Sequence, residues 1–169
     1  MFFRDNLVIK SLQSEMKLNC CWLKVWITTL NKISSSSPLT YNDIYSLNSI
    51  YHDAKLYDDI HWWKRDDINF WSNIYHEIDG NNVLELACGT GRLAPALIKD
   101  GAEYTGIELS PELVTGAKEN LKSFGGATHI HQGDMRDFNL HQKFDFIFVG
   151  FNSFLHLLRD EDASNCLQS

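Results

Sequence analysis

Between Val83 and Val149, short apolar runs alternate with segments patterned as helices, and that order leaves few folds open. Val83 to Ala87 reads as a strand, Arg92 to Lys99 as a helix stopped by Gly101, and Glu103 to Leu109 as a second strand. Ser110-Pro111-Glu112 then opens a helix, with a hydroxyl at the cap, proline at the first position and a carboxylate where the helix dipole favours it. Leu113, Val114, Ala117 and Leu121 give this helix one apolar face, and Gly125-Gly126 ends it. Thr128 to His131 reads as a third strand, Phe144 to Val149 as a fourth, and Phe154 to Leu167 as a last helix. Strands alternating with helices make right-handed crossovers, so the expected class is α/β: a Rossmann-like parallel sheet with helices on both faces.

A chain of 169 residues, 44% of them hydrophobic, builds a core without disulfides or metal. The longest apolar stretch near the N-terminus, Cys20 to Leu30, is broken by Lys24 and is far shorter than the roughly 20 residues of a membrane span, so no membrane association is expected. Net charge is −7, which disfavours nucleic acid as a partner because that affinity comes from clustered Lys and Arg. Residues 1–40 carry +3 and the remainder −10, and Ser34-Ser35-Ser36-Ser37-Pro38 marks a soft boundary between them. The expected division is an N-terminal extension over 1–40 and one domain over 41–169. Basic and serine-containing, the extension reads either as a targeting segment or, given Trp22, Trp26 and two adjacent cysteines, as a poorly packed leader. Cys20, Cys21, Cys88 and Cys166 form no C-x-x-C pair and no cleavable signal pattern is evident, which suits reduced thiols in the cytoplasm.

From Tyr41 to Tyr75 aromatic residues are dense. Ile68, Trp71, Tyr75 and Ile78 recur at helical spacing after the potential caps Asp66 and Asp67, the pattern of a core-facing helix stopped by Asp79-Gly80-Asn81. Tyr51 and Tyr57 read as core or as a lid over a ligand.

The chemistry concentrates in Glu85-Leu86-Ala87-Cys88-Gly89-Thr90-Gly91-Arg92, a strand running into a glycine turn that opens a helix. Such glycines let backbone approach a ligand closely, but Gly89-x-Gly91-x-x-Ala94 also matches the dinucleotide fingerprint and does not name a cofactor alone. Glu85, inside the first strand, is a costly place for a carboxylate without a partner and suits an ammonium group. Glu108 ends the second strand, placed to accept both hydroxyls of a ribose. Gly133-Asp134-Met135 follows the third strand, offering an acceptor for an exocyclic amine and an apolar contact for a purine. Each has a structural alternative: Glu85 as a capping or ion-paired group, Glu108 as a solvated strand end, Asp134 as a turn cap. Cys88 reads as a small apolar spacer or a reactive thiol, His156 as a packing residue or a base, and His129 and His131 share a strand face without a third metal ligand.

Through E-L-A-C-G-T-G-R, I-E-L-S-P and Q-G-D-M in that order, the chain resembles the class I S-adenosylmethionine-dependent methyltransferases from about Tyr41 onward. The resemblance implies that S-adenosylmethionine is the cofactor. Glu85 and the loop Ala87, Cys88, Gly89, Thr90 and Gly91 would hold its methionine part, and Glu108 its ribose. Leu109 would pack on adenine, Asp134 would accept from the adenine amine, and the Met135 backbone would meet a ring nitrogen. Phe151-Asn152-Ser153 would line the methyl-transfer cavity, so Asn152 joins the cofactor-site residues.

The resemblance also implies a seven-stranded sheet in which the fourth strand is internal, whereas this sequence reads only to the helix after that strand. The expectation is a sheet lacking three strands, with Phe144 to Phe151 as an exposed apolar edge open to a second copy or a complementing chain. The function expected is methyl transfer to a small-molecule acceptor. Two alternatives stand beside it: a cofactor-binding remnant that methylates nothing, and an NAD-dependent dehydrogenase. Phe151-Asn152-Ser153-Phe154 stands where amide- and adenine-methylating relatives carry [N/D]-P-P-[Y/F], which disfavours those branches by resemblance.

Overall fold

A computed structural model describes residues 49–169. The extension over 1–40, the boundary after it, and Tyr41 and Tyr45 lie outside the described residues.

Four parallel strands, β1 (Asn82–Leu86), β2 (Glu103–Glu108), β3 (Thr128–Gln132) and β4 (Phe146–Val149), form one sheet in the order β3-β2-β1-β4. The register sets Leu86 beside both Ile107 and Val149, so the loops after β1, β2 and β4 open along one rim. Strand order reverses between β1 and β4, the place where open α/β sheets form a crevice at the carboxyl ends of their strands.

Among the described residues five α-helices accompany the sheet: α1 (Ala54–His61), α2 (Ile68–His76), α3 (Ala94–Lys99), α4 (Pro111–Leu121) and α5 (Asp160–Cys166). Ser110 caps α4 as its sequence implies, its hydroxyl accepting from Leu113 N–H at 3.1 Å, and Leu113, Val114, Ala117 and Leu121 are all buried. Asp67 stands at the cap position of α2 without capping it, because its carboxylate is committed elsewhere.

Side-chain alternation along β1 divides the core. Val83 joins Trp71, Tyr75, Leu97, Tyr104, Phe146 and Phe148 on one face, while Leu84 and Leu86 join Ile107, Met135 and Cys166 on the other. The aromatic stripe of α2 is core: the Trp71 ring lies 4.6 Å from that of Phe148, which stacks on Phe146 at 5.0 Å.

Several boundaries differ from the sequence reading; β4 begins at Phe146 rather than Phe144, and β1 ends at Leu86 rather than Ala87. Helix α3 begins at Ala94 rather than Arg92, since the glycine turn persists to that point and Pro95 is tolerated only in a first turn. The single helix expected over Phe154–Leu167 is instead a 3-10 turn, Ser153–His156, then α5, separated by an extended Arg159 (φ −114°, ψ 144°). Asp160, Glu161 and Asp162 would oppose nothing in mid-helix; at a fresh N-terminus they meet the positive end of the dipole. Among the described residues no helix is long and apolar enough to cross a membrane.

Candidate functional site

The turn after β1 is a left-handed backbone excursion. Ala87 (φ 55°), Gly89 (φ 59°) and Gly91 (φ 79°) all sit at positive φ, a conformation side chains other than glycine seldom adopt. At Gly91 there is also no room, since a Cβ would come within 2.6 Å of Leu121. Cys88 N–H donates to Ile107 carbonyl at 3.0 Å, pinning the turn to β2. The Cys88 thiol is buried, and that burial pushes its pKa well above the ordinary value, as befits a spacer and not a nucleophile.

Glu108, at the end of β2, is buried beside this turn. One of its oxygens accepts from Gly89 N–H at 2.8 Å and the other from Ser110 N–H at 3.0 Å. Burial raises its pKa, opposed by the backbone donors Ser110, Gly89 and Leu109. Glu85 lies deeper, 4% exposed, with the Tyr104 hydroxyl donating to Oε2 at 2.5 Å. Burial outweighs that bond and pushes its pKa up to about 8.

A short 3-10 turn (Ser49–His52) and α1 lie across the glycine turn. Tyr57 covers Gly89, its hydroxyl 3.1 Å from where a Cβ would stand. The Asp58 carboxylate accepts from the Thr90 hydroxyl and, at 3.1 Å, from the Asn120 amide. Ser110 donates its hydroxyl to Tyr51 carbonyl, and the Tyr51 hydroxyl is hydrogen-bonded to His156 Nε2 at 3.2 Å. Burial, aided by the charge of Glu108, lifts the Tyr51 phenol to about 12, and burial holds His156 below its ordinary value. Of the two tyrosines read as core or lid, Tyr57 borders the glycine turn and Tyr51 packs between Ser110 and His156.

A charged network escaped the sequence reading. Arg92 grips Asp67 through two hydrogen bonds, 2.7 and 2.9 Å, and donates to Lys64 carbonyl at 2.8 Å. The buried Lys64 ammonium bonds both oxygens of Asp66 and lies 5.5 Å from the centre of the Phe151 ring. These contacts tie the α1–α2 connection to the glycine turn. The motif places Arg92 in sequence, but its partner is 25 residues away and no local pattern marks it.

A cavity of about 820 Å³ opens at the rim, its wall including Tyr57, Lys64, Glu85, Thr90, Arg92 and Phe151. Ala87, Cys88 and Gly91 also border it, so the structure brings the Glu85 and glycine-turn residues together. Gly89 and Glu108 are not among the cavity's wall residues; Glu108 is joined to the turn by the Gly89 N–H bond. Leu109 is half-buried against the second core cluster, and Met135 is buried within it. Asp134 is held by Arg136, accepting from its backbone N–H at 2.9 Å and from its guanidinium at 2.6 Å. Burial would lift the Asp134 pKa, but these bonds hold it below the ordinary carboxylate value. Asn152 is exposed, directly after Phe151 at φ 52°. His129 and His131 are exposed on β3.

Residues 83–169 match the family model described as a methyltransferase domain. The chain belongs to this methyltransferase domain family. It is 35% identical over 91 residues to dTDP-3-amino-3,4,6-trideoxy-alpha-D-glucopyranose N,N-dimethyltransferase of Streptomyces venezuelae, covering 54% of this chain and 37% of that protein. Among solved structures, DesVI of Streptomyces venezuelae superposes with a TM-score of 0.57 at 29% identity, covering 67% of this chain and 49% of that one. The CcbJ methyltransferase of Streptomyces caelestis gives a TM-score of 0.58 at 26% identity, covering 69% and 50%. This methyltransferase domain therefore spans about half the length of those solved chains, and less of the curated relative. It is of the class I type, whose methyl donor is S-adenosylmethionine.

The residues present fit that donor. The turn runs through positive-φ glycines whose missing side chains let Tyr57 and Leu121 pack directly on its backbone, and each oxygen of Glu108, having accepted one backbone N–H, keeps a lone pair for a further donor.

Proposed function

We propose that this chain binds S-adenosylmethionine at the β1–β2 rim and takes part in methyl transfer to a small-molecule acceptor, as a cytoplasmic protein. The observation that carries the reading is Glu108: a buried carboxylate at the end of β2, fixed by Gly89 and Ser110 N–H, with acceptor capacity left for the two hydroxyls of a ribose. The glycine turn with Ala87, Cys88 and Thr90 holds the amino-acid end of the cofactor, together with Glu85. Leu109, Asp134 and the Met135 backbone serve the adenine, with Asp134 pre-oriented by Arg136. Asn152, beside Phe151, borders the place where acceptor and donor meet.

The bound cofactor supplies an electrophilic methyl group, so the protein's share is alignment and exclusion of water. Tyr57 and α1 close the glycine turn, and Phe151 and Lys64 form part of the cavity wall. An amine acceptor needs only to be uncharged; the likeness to an amino-sugar N,N-dimethyltransferase supports that acceptor class. The outer edge of β4, unpaired among the described residues, supports a further strand there from a second copy or another chain.

Incubation with methyl-labelled S-adenosylmethionine and a panel of small amines, nucleotide-linked amino sugars included, is expected to yield labelled product. Cofactor binding with no transfer to any acceptor would reduce the role to cofactor binding alone, and preferential binding of NAD would replace the reading with a dehydrogenase.

A further inference from the structure

Among the described residues, Glu85 is the one buried acid on the cavity wall without an ionic partner. Its Oε2 accepts from the Tyr104 hydroxyl at 2.5 Å, and its Oε1 lies 2.8 Å from the point where a Cβ on Gly150 would stand. Leu93 crowds the same point at 3.0 Å. Gly150 follows β4, whose Phe148 is in register with Glu85, so its bare backbone is what lets the carboxyl reach the cavity wall. The nearby cation, Arg92, is committed to Asp67 through two hydrogen bonds, and among the described residues no ion pair forms to Glu85.

We propose that Tyr104 and Gly150 are positioning residues for cofactor binding: they aim the Glu85 carboxyl at the site where the ammonium of the cofactor's amino-acid end docks. This rests on the reading of the rim as the S-adenosylmethionine site. A consequence follows for protons. The groups facing Glu85 are Tyr104 and Glu108 from β2, Cys88 and Arg92 from the turn, Tyr57 from α1 and Asp67 at the cap position of α2; none is a free cation. Without ligand the carboxyl keeps its proton near neutral pH, as its pKa of about 8 implies. When an ammonium arrives, the O–H proton leaves to solvent and the carboxylate pairs with the ligand. Affinity for an ammonium-bearing ligand therefore rises with pH between 6 and 7.5, by up to about tenfold per pH unit.

The test is calorimetric titration with S-adenosylhomocysteine at pH 7 in two buffers of different ionisation enthalpy, with 5′-methylthioadenosine, which lacks the amino-acid end, as the control. S-adenosylhomocysteine is expected to release close to one proton and methylthioadenosine none. Tyr104→Phe and Gly150→Ala should each weaken S-adenosylhomocysteine by at least about tenfold while changing methylthioadenosine by no more than about twofold. Glu85→Gln, nearly isosteric, should remove the buffer dependence, which keeps the test open if either positioning variant fails to fold. Equal losses for both ligands, or heats independent of buffer in the unaltered chain, would overturn the proposal while leaving the site reading intact. Failure of S-adenosylhomocysteine to bind at all would overturn both.

Discussion

Glu85 and Glu108 sit on neighbouring strands, two residues from one another's pairing level, yet their surroundings differ. Glu108 receives two backbone N–H groups, whereas Glu85 receives one phenol and is otherwise enclosed. The enclosed acid has a stability consequence. Its folded pKa of about 8 lies above the ordinary 4.5, so the folded state holds a proton that the unfolded state has lost between those values. Its contribution to stability is complete below about pH 4.5 and is lost as pH rises through 8. Thermal midpoints of the unliganded chain should fall across that range, and Glu85→Gln should flatten the decline; a Glu85→Gln profile parallel to the parent would show that this carboxyl is already ionised at low pH. Residues of this kind were legible because their backbone setting restricts them: glycine at positive φ, an acid at a strand end. The pairing of Arg92 with Asp67 was not, because charged residues are common and a contact spanning 25 positions leaves no periodic trace. Asp134 shows a further gap, since the arginine two positions on that engages it reads in sequence as an ordinary surface charge.

At the scale of elements, α1 is the piece whose role the sequence left open. It is eight residues long with no fully buried side chain, too short to be helical on its own strength. It is held by what it covers: Tyr57 on Gly89, Asp58 on Thr90 and Asn120, and the neighbouring Tyr51 on Ser110 and His156. An element secured by a few polar contacts opens at lower cost than the sheet it covers. Asp58→Ala should accordingly raise the dissociation rate of S-adenosylhomocysteine several-fold with little change in melting temperature, measured by stopped-flow displacement. An unchanged rate would mean that α1 is not the barrier to release. Strands and the cap of α4 were readable from apolar runs and from Ser110-Pro111-Glu112, while the break between the 3-10 turn and α5 was hidden because an apolar Phe154–Leu158 run suits a helix as well as a turn.

For the whole molecule, strand order and register gather the site from distant parts of the chain. The glycine turn, the end of β2 and the turn after β4 meet at one rim because β1 lies between β2 and β4 with Leu86, Ile107 and Val149 level. Parallel order followed from the alternation of strands and helices, so this convergence was implicit in the sequence. The part of the cavity wall made by Lys64 and Phe151 was not, since these residues come together only through the packing of the α1–α2 connection. All of it depends on that rim gripping an adenosyl sulfur compound by its sugar. Titration of the Glu108→Ala chain with S-adenosylhomocysteine tests this most directly: two charge-assisted hydrogen bonds are lost, so affinity should drop by at least about tenfold with the fold retained. An affinity equal to that of the unaltered chain would contradict the account.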